Sequence, residues 1–198
     1  FILKKDMSNL DIDKIANSKF NFKYKYPNVE QQWIDEIKPI EKKNNKFTIL
    51  IPNYNNSEYL EKCLKSVLNQ TYKNYEIIFV DDMSEDNSVE IAKKILTGKN
   101  HKIIELKSKR YNGGARNVGI VEADSDYILS IDSDDWLVNN QVLEKVNNVL
   151  TNEDVLFLGF QQIRDGELFN IYIPEHPNRY SALVNNVCAI WTKVVKTD

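Results

Sequence analysis

The strongest constraint on this chain is an alternation of short apolar runs with helical patterns between Phe47 and Leu150. The runs "FTILIP", "YEIIFVDD", "HKIIEL" and "DYILSID" are too short for helices and rich in β-branched residues. Each is followed by a segment with apolar residues at helical spacing or by a turn that feeds one. This order is typical of a parallel sheet covered by helices on both faces. We therefore predict an α/β fold with a Rossmann-like, mostly parallel sheet.

Local signals place the ends of the helices in this region. We expect Ser57 to cap the first helix and Ser84 to cap the second, which Gly98 would end. A third helix is expected from the Gly113 turn to about residue 123, and a fourth around residues 141–150. Beyond them, "DVLFLGF" and "LFNIYI" indicate later strands whose pairing the sequence leaves open.

The first part of the chain has a different character. Residues 1–45 are rich in Lys, Asn and Asp without a sustained period, so we predict an N-terminal extension and linker before a domain at 46–198. Within the extension, "SKFNFKYKYP" alternates aromatic with polar residues, which favours an edge strand. The alternative is a surface that touches membrane or stacks on sugar through Phe20, Phe22, Tyr24 and Tyr26.

Charge and cysteine content limit the partners and the compartment. With 26 basic and 29 acidic residues the net charge is −3, so we expect no nucleic-acid partner. Cys63 and Cys188 lie far apart and form no metal-ligand or redox motif, and no apolar run reaches about 18 residues. We therefore predict a cytoplasmic location.

Acidic residues collect where two of the predicted strands end. Asp81 and Asp82 follow the second run, and Asp132, Asp134 and Asp135 follow the fourth. Because the carboxyl ends of parallel strands meet at one edge of the sheet, these carboxylates are expected there together. Like charges in one place repel and must be offset. A divalent ion that prefers oxygen ligands, Mn²⁺ or Mg²⁺, would do so.

Other roles for these acids give different predictions. Asp81 and Asp82 alone are equally well explained as helix caps or Asx turns. An EF-hand is excluded because, counting from Asp132, Leu137 stands where glycine is needed and Leu143 where glutamate is needed. The Walker and dinucleotide glycine motifs are absent from the sequence.

The order of these elements from Phe47 to about Leu150 resembles the nucleotide-binding half of family 2 glycosyltransferases, which have the GT-A fold. The shared elements are "IPNYN", "SVLNQTY", "VDDMSED", "NGGARNVGI" and "DSDD". "IWTKVVK", residues 190–196, is more loosely similar to a segment on the acceptor side of bacterial members. The resemblance implies transfer of a sugar, with inversion, from a nucleotide-diphosphate sugar, UDP being favoured.

The resemblance also implies roles for individual residues. Asp82 would accept a hydrogen bond from a uracil N–H, and Asp134 would hold the metal with Asp132 and Asp135. The general base is expected beyond Asp198, in a domain truncated at its C-terminus, while Glu153, Asp154, Glu175 and His176 are candidates by residue type alone. The implied nucleotide-sugar site comprises Pro52, Asn53, Tyr54, Asn55, Asp82, Gly113, Arg116, Asn117, Asp132 and Ser133.

Two functions from different classes follow. The first is a metal-dependent bacterial glycosyltransferase that acts on a glycan or lipid-linked acceptor in cell-surface polysaccharide synthesis, with peripheral contact at the inner face of the membrane. The second is a GT-A module that binds a nucleotide or a protein without turnover. A nucleotidyltransferase is a third, remote alternative, because its glycine-rich, lysine-bearing loop is absent from the first strand.

Overall fold

The computed structural model describes residues 43–150, 154–164, 167–172 and 193–197. The predicted extension and its aromatic strand lie almost wholly outside these residues, so the domain boundary remains a prediction. No helix in the described part of the chain combines the length and the apolar character needed to cross a membrane. The helices are α1 (Ser57–Leu68), α2 (Ser88–Ile95), α3 (Tyr111–Val121) and α4 (Val142–Val149). The strands are β1 (Phe47–Asn53), β2 (Tyr75–Asp81), β3 (His101–Glu105), β4 (Tyr127–Ser130), β5 (Val155–Phe157), β6 (Phe160–Arg164), β7 (Glu167–Tyr172) and β8 (Lys193–Lys196).

Six of these strands form one mostly parallel sheet in the order β3-β2-β1-β4-β8-β5. Strands β1 to β4 pair in parallel, whereas β8 runs antiparallel to both β4 and β5. Strands β6 and β7 form a separate antiparallel pair. The predicted α/β fold is confirmed, and the run "DVLFLGF" proves to span two strands, β5 and β6, rather than one.

Strand β1 lies in the middle of the parallel strands and is apolar because both its faces are covered. Ile49 and Ile51 pack in a cluster with residues of α1, α2 and α4. Leu50 points to the other face, where it packs with α3. A Cβ added to Gly119 of α3 would overlap Leu50, so the missing side chain allows the helix to lie close to the strand. Burial of Leu50 alone contributes about 2 kcal/mol to folding.

The helix caps differ from those expected. Asn56 and Asn87, rather than Ser57 and Ser84, stand at the N-cap positions, and neither side chain makes a capping hydrogen bond. Helix α2 ends before Gly98 is reached, so this glycine is not its C-terminal cap. The prediction failed because another side chain, that of Asp86, accepts the free N–H groups at both helix starts.

A single carboxylate does the capping for two helices. Asp86 accepts hydrogen bonds from the backbone N–H of Ser57 at 2.8 Å and of Ser88 at 3.0 Å, the first residues of α1 and α2. Burial opposes ionisation of Asp86, but these hydrogen bonds outweigh it and hold the pKa of the carboxyl below its usual value. The helix starts that follow β1 and β2 are thereby tied to each other.

Strand β8 was not expected as a strand. It lies between β4 and β5, and its Val194 is buried in the main core. The backbone N–H of Lys196 also bonds the carbonyl of Asp154 at 2.9 Å. The segment that resembled an acceptor-side element therefore completes the sheet beside β4, the strand that leads into the acid cluster.

Candidate functional site

Three carboxylates follow β4 in one tight group, which we call the acid cluster: Asp132, Asp134 and Asp135. Each offers an oxygen atom, and these atoms all lie within 4.8 Å of one another. Arg116 of α3 pairs with Asp132, and its Nε donates to the Ser130 hydroxyl at 3.3 Å. In the described part of the chain, Asp132 is the one member of the acid cluster with a charged partner. The acid cluster therefore carries negative charge that this one arginine does not balance.

Burial and mutual repulsion both act on the acid cluster. Burial, reinforced by the charges of Asp134 and Asp132, raises the pKa of Asp135 to about 6. Burial likewise raises the pKa of Asp132, although Arg116 opposes the change. Burial and the three nearby carboxylates also raise the pKa of the Cys63 thiol, which lies 3.7 Å from the Asp132 carbonyl. The full charge of the cluster is therefore unfavourable until a cation shares it.

The acid cluster fits a small dication. Oxygen atoms bound to Mg²⁺ or Mn²⁺ at about 2.1 Å lie no more than about 4.2 Å apart, so small rotations bring the three carboxylates onto one ion. Hard oxygen donors are the set that these ions prefer. Asp134, Asp132 and Asp135 could therefore hold the predicted metal.

Helix α1 fixes the loop that follows the acid cluster. Gln70 is fully buried just beyond the helix, and its Nε2 donates to the carbonyls of Ser66 at 3.0 Å and Asn139 at 2.6 Å. Its Oε1 accepts the backbone N–H of Leu143 at 3.0 Å. The Ser66 hydroxyl accepts the N–H of Leu137 at 3.0 Å. Neither side chain was predicted to have a role; the signal in the sequence was two polar residues one turn apart in "SVLNQTY".

The loop after β1 reaches the acid cluster through Asn56. Its Nδ2 donates to the Ser133 hydroxyl at 2.8 Å, between two of the clustered acids. Pro52 and Ser133 are both buried, so the structure places them beneath the site surface. Their contact with a nucleotide remains a prediction.

A second network joins the loops after β1 and β2. Asn53, only 2% exposed, donates from Nδ2 to Asp81 at 2.9 Å and to the Ser84 hydroxyl at 3.0 Å. Asp81 accepts the Ser84 N–H at 2.9 Å and its hydroxyl at 2.6 Å, so this acid holds the turn that follows β2. Asn55 and Met83 have φ of 53° and 61° in these loops. Asn53 and Asp81 thus position the loops, and Asp81 does not join the acid cluster.

Asp82 sits at the start of α3 instead. Its Oδ1 accepts the N–H of Arg110 at 2.7 Å and its Oδ2 that of Tyr111 at 2.8 Å, holding Tyr111 at a φ of 58°. Lys109 covers this carboxylate: Nζ donates to the Asp82 carbonyl at 3.0 Å and lies 3.7 Å from Oδ2. The same Nζ lies 2.5 Å from the centroid of the Tyr54 ring. Lys109 was not among the predicted site residues; its signal in the sequence was the basic run "KSKR" before α3.

The remaining candidates are two residues of the implied nucleotide-sugar site and the four possible general bases. Gly113 and Asn117 are exposed on α3, and a Cβ added to Gly113 would meet nothing within 4 Å. Of the four candidate bases, only Asp154 is described; it is exposed in the turn that binds Lys196. Glu153, Glu175 and His176 lie outside the described residues, so the general base remains unassigned.

Comparison with known proteins decides the family. The model of Glycosyl transferase family 2 matches residues 48–194. The chain belongs to this family. GlyA, a glycosyltransferase of Streptococcus pneumoniae, is 39% identical over 100 residues, which are 50% of this chain and 14% of GlyA. TarS of Staphylococcus aureus, a poly(ribitol-phosphate) beta-N-acetylglucosaminyltransferase, is 31% identical over 102 residues, 50% of this chain and 18% of TarS.

Solved structures of family members share the fold. A crystal structure of TarS 1-349 in complex with UDP-GlcNAc superposes with a TM-score of 0.66 at 24% identity, covering 77% of this chain and 45% of that one. The mannosyltransferase PcManGT of Pyrobaculum calidifontis, in complex with GDP-Man and Mn²⁺, gives 0.54 at 17% identity and covers 64% and 39%. These likenesses confirm the predicted GT-A fold. The chain spans less than a fifth of GlyA or of TarS.

Proposed function

We propose that this chain is the donor-binding part of an inverting, metal-dependent glycosyltransferase. The observation that carries the proposal is the acid cluster, in which one of three carboxylates pairs with an arginine, at the carboxyl end of a parallel strand. Ligands of open parallel sheets bind at this edge. A divalent ion would supply the missing positive charge, and a nucleotide-diphosphate sugar bound to it would use the polar groups of the neighbouring loops.

The metal ion would be held by Asp134 with Asp132 and Asp135. When bound, it acts as a Lewis acid that stabilises the negative charge developing on the leaving diphosphate. Arg116 fixes Asp132, and Gln70 and Ser66 fix the following loop, so the carboxylates need little rearrangement to meet the ion. Such preorganisation is a large part of electrostatic catalysis.

The nucleoside would bind beside Asp82 and Tyr54. Each oxygen of Asp82 accepts one backbone hydrogen bond and has a further lone pair, so the carboxylate can still accept an N–H from a uracil ring. Tyr54 is 42% exposed, and its ring offers a face on which a base can stack. Asn55, Gly113, Arg116 and Asn117 stay in the proposed nucleotide-sugar site.

TarS supports the choice of donor and acceptor. It is bound to UDP-GlcNAc in one structure and is named for transfer to poly(ribitol-phosphate). We accordingly propose a UDP-sugar as donor and a cell-surface glycan or lipid-linked polymer as acceptor. Inversion by single displacement needs a general base near the acceptor hydroxyl, which we place outside the described residues. The cytoplasmic location and peripheral membrane contact belong to this proposal.

Calorimetry with UDP, GDP, CDP and ADP, each with and without Mn²⁺, tests the binding part of the proposal. We expect UDP to bind most tightly and to require the metal. Equal binding of UDP with and without Mn²⁺ would contradict metal dependence.

Release of sugar from labelled UDP-sugars separates the enzyme from the alternative, a GT-A module that binds without turnover. We expect slow, Mn²⁺-dependent release with at least one UDP-sugar. Tight binding of UDP without release of any sugar would favour the binding module.

A further inference from the structure

The ammonium group of Lys109 contacts the two residues that a nucleobase is expected to contact, Tyr54 and Asp82. Its Nζ lies 2.5 Å from the centre of the Tyr54 ring, 3.0 Å from the Asp82 carbonyl and 3.7 Å from the Asp82 carboxylate. The Asp82 side chain is only 3% exposed, and the Lys109 side chain is 31% exposed. Lys109 therefore lies over Asp82 and Tyr54 on the solvent side.

These contacts stabilise the charged ammonium group of Lys109, as contacts with a ligand would. A cation over an aromatic face and a charged hydrogen bond are both favourable. A base that stacks on the covered face of Tyr54 and donates an N–H to Asp82 needs the same space. It can enter only if Lys109 leaves and gives up these contacts.

The phosphates of a nucleoside diphosphate can form new contacts with the displaced ammonium group of Lys109, whereas a nucleoside has no phosphate. A flexible lysine serves as a point charge for phosphate oxygens. The base site and the acid cluster are joined by the loop after β1, in which Tyr54 faces Lys109 and Asn56 bonds Ser133. A diphosphate that spans from the base to the acid cluster therefore passes within reach of the displaced ammonium.

We propose that Lys109 is a specificity residue that makes nucleotide binding depend on the diphosphate. It occupies the base site when no ligand is bound and moves onto the diphosphate when the donor binds. A nucleoside that displaces Lys109 breaks the contacts of its ammonium group and replaces none of them. A nucleoside diphosphate breaks the same contacts but offers the ammonium group its phosphates instead. This inference rests on the proposed function, because it takes the base site to lie at Tyr54 and Asp82.

The test compares uridine with UDP on the 198-residue chain and on Lys109→Met. Uridine is titrated by NMR, and UDP by calorimetry at saturating Mn²⁺. We expect the variant to bind uridine about threefold more tightly, because no cation–π contact has to be broken. We expect it to bind UDP about tenfold more weakly, because a charged contact with phosphate is lost. The two ligands should therefore respond with opposite sign.

Lys107→Met is the matched control, since Lys107 is an exposed lysine two residues away and the variant removes the same charge. It should leave both affinities within about twofold, because exposed charges are largely screened. If Lys109→Met does not fold, Lys109→Gln serves in its place and should show the same opposite responses.

Affinities for uridine and UDP that fall together, or that do not change, in the Lys109 variants would overturn the inference while leaving the proposed function intact. An unaltered chain that binds neither UDP nor uridine would overturn both.

Discussion

Both edges of the parallel sheet are rich in charged groups, but they differ in how many of their acids have partners. At the amino edge, where β1, β2 and β4 begin, the acids Glu76, Asp124 and Asp126 each have a partner. Buried Glu76 accepts the Thr48 hydroxyl at 2.7 Å and the Asp124 N–H at 2.9 Å. Asp126 accepts the Lys46 N–H at 2.7 Å, and the Lys46 ammonium pairs with Asp124 at 3.0 Å.

At the carboxyl edge, the acids and their partners are not matched in this way. Asp81 and Asp82 are satisfied by turns and by the start of α3, yet the acid cluster has a single arginine. Acidic residues are equally easy to find at either edge in the sequence. The difference teaches that a binding site is marked by carboxylates left without partners, whereas fully partnered carboxylates serve stability.

The largest effect is expected for Asp134→Ala, which removes a proposed metal ligand from the carboxyl edge. Binding of UDP in the presence of Mn²⁺ should weaken by about 100-fold or more, since several kcal/mol of charge stabilisation depend on the ion. Calorimetry measures this. Asp124→Ala at the amino edge is the control, and unchanged binding by Asp134→Ala would erase the distinction between the two edges.

Gln70→Leu should reduce both stability and metal binding. The substitution leaves the Asn139 carbonyl and the Leu143 N–H without their buried partner, which costs about 3 kcal/mol. Urea unfolding gives the loss of stability, and Mn²⁺ titration of the folded protein gives the loss of affinity. If only stability changed, Gln70 would hold the fold without positioning the acid cluster.

Glu76→Ala at the amino edge should affect stability alone. Its two buried hydrogen bonds are lost, so the free energy of unfolding should fall by about 2 kcal/mol. The affinity of the folded protein for UDP should not change. A drop in that affinity would show that the two edges are coupled.

Asp135→Asn should give the smallest effect, and one that depends on pH. The Asp135 carboxyl has a pKa of about 6 in the folded chain and about 3.9 when unfolded, so the folded state binds more protons between these values. Stability of the metal-free chain therefore falls as pH rises from about 4 to about 6.

The Asp135 variant lacks this titration, and at pH 7.5 without metal it should be more stable by about 1 kcal/mol or less, given partial solvent screening. Thermal unfolding at pH 4.5 and 7.5 measures the difference between the chains. An equal pH dependence in both would show that Asp135 titrates normally.

The sequence predicted the parallel strands, their helices and the position of the acid cluster, because each depends on local periodicity and on one rule about strand ends. It did not predict which of the acids would remain unpartnered. Asp81 and Asp82 differ from Asp134 through contacts with Asn53, Arg110 and Lys109, which come from other loops.

Two further features depended on tertiary structure in the same way. The cap of α1 comes from Asp86, 29 residues further along the chain, which no local pattern around Ser57 indicates. Strand β8 is four residues long and antiparallel to its neighbours, so neither its length nor its periodicity distinguishes it from a loop.

The place of β8 between β4 and β5 has a consequence for synthesis of the protein. Domains of this kind form as the chain emerges from the ribosome, amino-terminal part first. Strand β4 pairs with β1, but its other side stays bare until residues 193–196 appear. While the segment between β4 and β8 is being made, the nascent chain thus carries an open hydrogen-bonding edge next to the acid cluster, and β8 closes it.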